Sequence, residues 1–488
     1  MTPTILRGTA ALLAATALAG CTVGPDFHAP ATPTTKAYVA RQPSMLASPG
    51  AGETQQQLQS GTPLRADWWA LFGSQPLNDL VAQALANNRT LAAAQANLAR
   101  ATEGIAAARG SLLPQVDGTG GIARHKYGAS FLGPEAFTFP TFSAYSGGAA
   151  VSYDLDLFGG NRRRVEQAAA MAETEQQRLE GARLEVAGGV VIEALQIAAT
   201  RAQIEAIEGI IASDGKTLDL VTSALDAGVA TRIDLTTAQS QLDRDRALLP
   251  PLRQQLDVAE SALAVLVGKA PADFTAPAFT LATLTLPADV PLVVPSDLVR
   301  TRPDIRAAEA DLHAASAAIG VATADLYPHI DLSATLAGQG VIGGGFGSAW
   351  GLVGGLTAPI FHGGTLTARK RAAVDAYDAS FAQYQQTVLI AFRQIADALH
   401  GLSNTADAIG AQQRALASAS EALELTRHGF ADGNSGVVQV LDAQRLQQLA
   451  QVDLIQARAQ RYVQTVTVFV AVGGGIEGPA LTRIASTR

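Results

Sequence analysis

The stretch VVIEALQIAATRAQIEAIEGIIASDGKTLDLVTSALDAG, residues 190–228, decides the fold. Within it Val190, Ile197, Ile204, Ile211, Leu218 and Leu225 recur every seven residues, and Gly228 follows. A strict seven-residue apolar repeat held this long is a coiled-coil seam. A glycine just past the last apolar position supplies the left-handed cap on which many helices end. The seam then resumes as Leu235, Ala238, Leu242, Asp245, Leu249, Leu252, Leu256, Ala259, Leu263 and Leu266, in alternating steps of three and four. The spacing predicts a long helix, a turn at Gly228 and a helix returning along the first.

The pattern recurs 205 residues further on, as Ile395, Leu402, Ile409, Leu416, Leu423 and Phe430 followed by Gly433. The repeat reaches beyond the seam. Leu113-Pro114-Gln115-Val116-Asp117 aligns with Tyr327-Pro328-His329-Ile330-Asp331, and Gln95-Ala96-Asn97-Leu98 with Glu309-Ala310-Asp311-Leu312. The chain is an internal duplication, with one helical hairpin per copy. The first copy holds about ten extra residues between Pro114 and Phe158, the kind of insertion that surface loops accept.

The composition suits long, closely packed helices. Of 488 residues, 48% are hydrophobic but only 5% aromatic, which is too few for a bulky globular core. The net charge of -8 and the lack of a basic stretch interleaved with aromatics argue against nucleic acid as a partner. Histidines are scattered and the methionines are only Met1, Met45 and Met171, so no metal site or cofactor is expected. No phosphate-cradling glycine loop with lysine is present, and no pairing of nucleophile and base, so the chain is not expected to be an enzyme.

Residues 1–20 have the form of an export signal: Arg7, then small apolar residues, then Leu18-Ala19-Gly20 directly before Cys21. Cys21 is the only cysteine, so it has no partner for an intramolecular disulfide. A small-residue pair before cysteine resembles the bacterial lipoprotein cleavage box, which implies acylation of Cys21. Thr22 in the next position, where inner-membrane retention would favour aspartate, implies the outer membrane. Residues 21–66, rich in Pro, Thr, Ser, Gln and Gly without an apolar period, read as an extended tether.

From Asp67 to about Leu113 the pattern is helical, closed by Pro114, and its counterpart runs from Pro303 to Tyr327. Strands lie between the helices, at about 115–158 and 329–361. Tyr145, Gly147, Ala149, Val151, Tyr153 and Leu155 alternate with Ser146, Gly148, Ala150, Ser152 and Asp154, and Ile330, Leu332, Ala334 and Leu336 with polar neighbours. That two-residue period fits a membrane barrel with a lipid face and a water face, or a soluble hairpin packed on the helices. Four strands per chain cannot close a barrel, and hydrocarbon tolerates no open edge, so a membrane reading requires several chains; three give twelve strands. Helical hairpins follow at about 161–268 and 365–473. The first limb, some 67 residues, is roughly 100 Å long at 1.5 Å per residue. Pro250-Pro251 predict a kink or break in the first returning helix. The first repeat is placed at 67–285 and the second at 286–488.

Several stretches together resemble the outer-membrane efflux factor family, the TolC-like channels, and most closely its NodT-type lipoprotein branch. They are Cys21-Thr22-Val23-Gly24-Pro25-Asp26-Phe27, Trp68-Trp69 with Leu71-Phe72, Arg302-Pro303-Asp304-Ile305-Arg306, and Val440-Leu441-Asp442-Ala443-Gln444. The resemblance implies a mainly α chain that trimerises into a twelve-stranded β-barrel continued by a long α-helical periplasmic barrel. It implies an outer-membrane location in a Gram-negative bacterium, a periplasmic adaptor, and an inner-membrane pump of the RND type. It also implies a gate at the tips, near Gly228 and Gly433. The family pattern carries over at Asp442 and at the apolar Val438, while Gln439 stands where some members have a second carboxylate. Asp234 holds the comparable place in the first copy. An acidic ring in a narrow pore favours cations; Asp442 also fits a solvated first-turn residue favoured by the helix dipole. The basic runs Arg162-Arg163-Arg164 and Arg369-Lys370-Arg371 are candidates for lipid headgroups or for solvated helix starts. The expected function is a passive exit duct for small molecules. A duct for protein secretion and a non-pore coiled-coil lipoprotein are the alternatives.

Overall fold

The computed structural model describes residues 22–40, 46, 49–50, 52–126 and 140–475. Cys21 lies outside them. In chain order the elements are β1 (Gln57–Ser60), a 3-10 turn at Trp68–Phe72, α1 (Gln75–Asn87), α2 (Arg89–Gly110), β2 (Gln115–His125) and β3 (Phe142–Asp154). Then come α3 (Gly160–Asp226), α4 (Arg232–Arg246), α5 (Leu249–Leu266), β4 (Asp289–Leu292) and α6 (Pro295–Thr301). The second copy continues as α7 (Pro303–Ala324), β5 (His329–Val341), β6 (Phe346–Thr357), α8 (Thr365–Ala431) and α9 (Val437–Ala471). Both α3 and α8 have 67 residues, and their ends are offset by the same 205 positions as the seam.

The chain divides into two compact units. One comprises residues 1–30, 97–176 and 307–385, and the other residues 31–96, 177–306 and 386–488. In the first, β2, β3, β5 and β6 form an antiparallel sheet in that order. Its register lines up one apolar face: Val116, Val151, Ala334 and Leu352 lie in one row, and Gly118, Ala149, Leu336 and Trp350 in another. Nothing among the described residues covers this face, since Val116, Ile122, Leu336, Trp350, Leu352 and Leu356 are all at least 60% exposed. The outer edges of β2 and β6 have no strand partner among the described residues.

Residues 22–66 are not a free tether where they are described. In the first unit the Val23 amide donates to Phe158 O (3.0 Å), and the buried Arg163 reaches Val23 O and the Asp26 carboxylate (2.8 Å). Phe27 stacks on His313 with ring centroids 4.5 Å apart, and His313 bonds Glu166. In the second unit Tyr38 donates to Val293 O, and β1 pairs with β4 in parallel, Gln57 opposite Asp289. Main-chain pairing and single side-chain clamps need no apolar period, so the sequence pattern did not reveal the docking.

Three breaks refine the helical reading. The helix expected from Asp67 to Leu113 opens instead as the 3-10 turn, ended by Gly73 at φ 68°, and is interrupted again at Asn88, whose Oδ1 caps the amides of Thr90 and Leu91 while its amide holds Leu266 O. The first returning helix is broken between Arg246 and Leu249. Pro250 and Pro251 lack the N–H groups that would bond the carbonyls of Arg246 and Ala247, so the chain tightens into a turn and restarts. The second copy has Ile455 and Gln456 at these positions, and α9 runs unbroken for 35 residues.

The second unit's core centres on Trp68, Phe72 and Phe469, with Trp68 and Phe469 5.6 Å apart edge to face. Arg302, buried, donates to Ala471 O at the end of α9 (2.8 Å), to Gln394 and to Asp304. Its guanidinium thus satisfies a carbonyl at a helix C-terminus, where the dipole favours a cation. The seam is buried as expected in α8 at Ile395, Leu402, Ile409 and Leu423. In α3 burial shifts beyond Ile197. Ile204, Ile211, Leu218 and Leu225 are half-buried, and Ile207, Ile210, Asp214 and Val221 carry the contact. Here α3 packs against two neighbours, through a cluster of Val221, Ala238, Val437 and Leu441.

Candidate gate at the helical tips

Both tips are built the same way. Gly228 (φ 77°) and Gly433 (φ 76°) adopt the left-handed conformation that L side chains resist. Each amide bonds three residues back, Gly228 N to Leu225 O (2.9 Å) and Gly433 N to Phe430 O (3.1 Å). The next amide bonds five back, Val229 N to Ala224 O and Asn434 N to Gly429 O. This is the paired Schellman closure of a helix end, repeated at the 205-residue offset.

The returning helices begin with related caps. Thr231 caps α4: its Oγ1 accepts from the Asp234 amide (3.2 Å), and the Asp234 carboxylate accepts from the Thr231 amide (2.9 Å) and hydroxyl (2.7 Å). These donors hold the Asp234 carboxyl below the usual carboxylate range. In α9 Gln439 accepts from the Gly436 amide at 3.0 Å. Asp234 and Gln439 are therefore equivalent residues, three into their helices, with side chains turned back onto the cap.

Val438 and Asp442 are exposed on one face of α9, a turn apart, with Val438 46% exposed. Leu446 and Leu449 extend the same face at 55% and 51%. The opposite face, Val437, Val440, Leu441, Gln444 and Gln448, is buried. Sequence reading missed Leu446 and Leu449. The available signal was that α9 carries apolar residues on two faces, more than one seam can use.

A further feature lies just above the tips. Asp214 of α3 is 3% exposed and Asp245 of α4 is 7% exposed. Asp214 Oδ1 accepts from Gln444 Nε2 (2.6 Å) and Gln448 Nε2 (3.3 Å) of α9. Asp245 accepts from Gln241 (2.8 Å), and its carboxyl lies beside Asp214. Burial, followed by the Asp245 carboxyl beside it, pushes the Asp214 pKa up to about 7. Asp245 stood in plain view in the sequence as the one carboxylate on the apolar seam.

The basic runs divide. Arg162, Arg163 and Arg164 are engaged with Asp156, with Asp26 and Glu166, and with Asn161 and Asp325 respectively. Asp156 also caps the start of α3 through the amides of Asn161 and Arg162, which offsets the cost of cations there. Arg369 and Arg371 are exposed. No described helix is long and apolar enough to cross a membrane.

Comparison with known proteins places these features in a family. The sequence profile described as outer membrane efflux protein matches residues 80–269 and 294–474, one block in each copy. The toluene efflux pump outer membrane protein TtgF of Pseudomonas putida is 30% identical over 482 residues, covering 94% of this chain and 95% of its own. Nodulation protein T of Rhizobium leguminosarum bv. viciae is 27% identical over 489 residues, covering 96% of this chain and 93% of its own, in line with the NodT-type resemblance. The solved outer-membrane channel OprN superposes with a TM-score of 0.81 at 26% identity, over 93% of this chain and 99% of that one. On its duplicated hairpins, its sheet and these matches, the chain belongs to the outer membrane efflux protein family, whose members are outer-membrane channels and not enzymes.

Proposed function

We propose that three copies of the chain join their sheets into one twelve-stranded barrel in the outer membrane, and that their helical hairpins continue it as a passive exit duct into the periplasm. The observation that carries this reading is the sheet, which has a whole face of exposed apolar side chains and two unpaired edges. Hydrocarbon accepts such a face but not such edges, and pairing β6 of one copy with β2 of the next removes them all. Acylation of Cys21 adds a lipid anchor. The duct takes its energy from an inner-membrane pump of the RND type, through a periplasmic adaptor that meets the tips. Small molecules are its cargo, in line with relatives named as efflux components.

Val438 and Asp442, contributed by three chains, form the narrowest ring, with Leu446 and Leu449 lining the approach. Asp234 and Gln439 shape the tips through their caps. The test is conductance of the purified, lipidated protein in a planar bilayer, with its mass in detergent determined alongside. A trimer with small cation-preferring openings is expected; a monomer that never conducts would return the chain to the structural-lipoprotein reading.

A further inference from the structure

The buried acid pair just above the tip of the first hairpin has no part in the duct as described. Carboxylates packed between helices are costly unless paired with cations or hydrogen-bonded on every lone pair. Asp214 Oδ2 is buried without any hydrogen-bond donor, and the group beside it is the Asp245 carboxyl. Two carboxylates bond each other only if one carries a proton. The other groups facing the pair are neutral: Gln241 on α4 and Gln444 and Gln448 on α9. The neighbouring cations are turned away. Lys216, Arg244 and Arg445 are exposed, and Arg246 is exposed and pairs with Asp243. A groove of about 580 Å³ opens alongside at Ser213, Gln444 and Gln448; its charges are Glu205, Glu424 and Arg427, of which the last two pair with each other at 3.4 Å. Water and protons therefore reach the neighbourhood, while no cation neutralises the pair.

We propose that Asp214 and Asp245 share one proton and act as a pH-operated latch that holds α4 against α3 above the tip turn. With the proton present, the two carboxyls form a short bridge across the hairpin. Without it, two buried negative charges face each other and α4 is pushed from α3, while Asp214 keeps its bonds to Gln444 and Gln448 of α9. The latch thus transfers the hold of α3 from its own returning helix to that of the second copy. The direction follows from the raised pKa. The stabilisation is complete below the ordinary carboxylate range and is lost as pH climbs through about 7. The tips are firm in acid and loosen at neutral pH and above.

The link to opening rests on the duct reading; the latch itself does not. Two measurements on the full-length protein in lipid test the latch directly. The infrared carbonyl stretch of a protonated carboxyl should be present at about pH 5.5, fade by about pH 8.5, and have its titrating part abolished in both Asp214→Asn and Asp245→Asn. Hydrogen exchange of the α4 amides, corrected for intrinsic rates, should accelerate about tenfold or more across that range in the native chain, and less than about twofold in either variant. The substitutions keep shape and hydrogen-bonding capacity, and either one alone is sufficient. A native chain with flat exchange and no titrating carboxyl band, or variants that match it, overturns the latch. Conductance rising with pH in the native chain alone supports the latch and the duct together. If no channel forms, the spectroscopic and exchange outcomes still decide the latch.

Discussion

At the scale of single residues, much of this protein's chemistry is the capping of helix ends and the clamping of loose chain. Asp234 and Asp442 illustrate two fates of a carboxylate near a helix start. Asp234 closes the Thr231 cap, so Asp234→Ala should loosen that cap and raise amide exchange in the first turn of α4. Asp442 faces outward with no partner among the described contacts. Asp442→Ala should leave folding unchanged and lower the cation preference and change the conductance of single channels; unchanged permeation would remove it from the gate. Arg163 is a third case, since it joins Val23, Asp26 and Glu166. Replacing it with alanine should free the segment after Cys21, read as faster proteolytic trimming of residues 22–30 with secondary structure intact.

At the scale of elements, the two hairpins differ in the break at Ala247-Leu248. Pro250→Ala with Pro251→Ala should fuse α4 and α5, giving two new amides as protected from exchange as their neighbours. The converse change, Ile455→Pro with Gln456→Pro, should break α9 at a cost of about 3 kcal/mol or more. These elements were largely legible in the sequence. The heptads and Gly228 and Gly433 located both turns, and strand alternation located β3 and β5 clearly. The first strand was obscured because Gly118, Gly120 and Gly121 carry no side chains from which to read a period. The docking of residues 22–40 was hidden because it depends on contacts such as Val23 to Phe158, far apart in sequence and made by the main chain. At the tips, the positions of Val438 and Asp442 were readable. The pair of Asp214 and Asp245 was not, because a carboxylate near the tip end of a long helix declares itself only when Asp245 and the glutamines of α9 are seen around it.

At the scale of the whole molecule, the sheet sets what assembly must do. Leu352 is 75% exposed on the apolar face, and Leu352→Arg places a charge where lipid is expected, costing about 2–4 kcal/mol near the bilayer midplane. The expected result is a smaller mass in detergent and less protein in the outer membrane, whereas Ser333→Arg, on the other face, should be tolerated. The pairing of β3 with β5 has a different kind of consequence. It joins the second strand of one copy to the first strand of the other, Val151 beside Ala334 and Ala149 beside Leu336. The proposed joint between neighbouring chains unites the same two kinds of strand. A half-length ancestor with one strand pair and one helical hairpin would therefore have needed only a single type of contact, used six times around a ring. In such a ring, fusion of two halves into one chain would place every second contact within a single polypeptide and leave each half free to carry its own variations, such as Pro250-Pro251 in the first and Asp442 in the second.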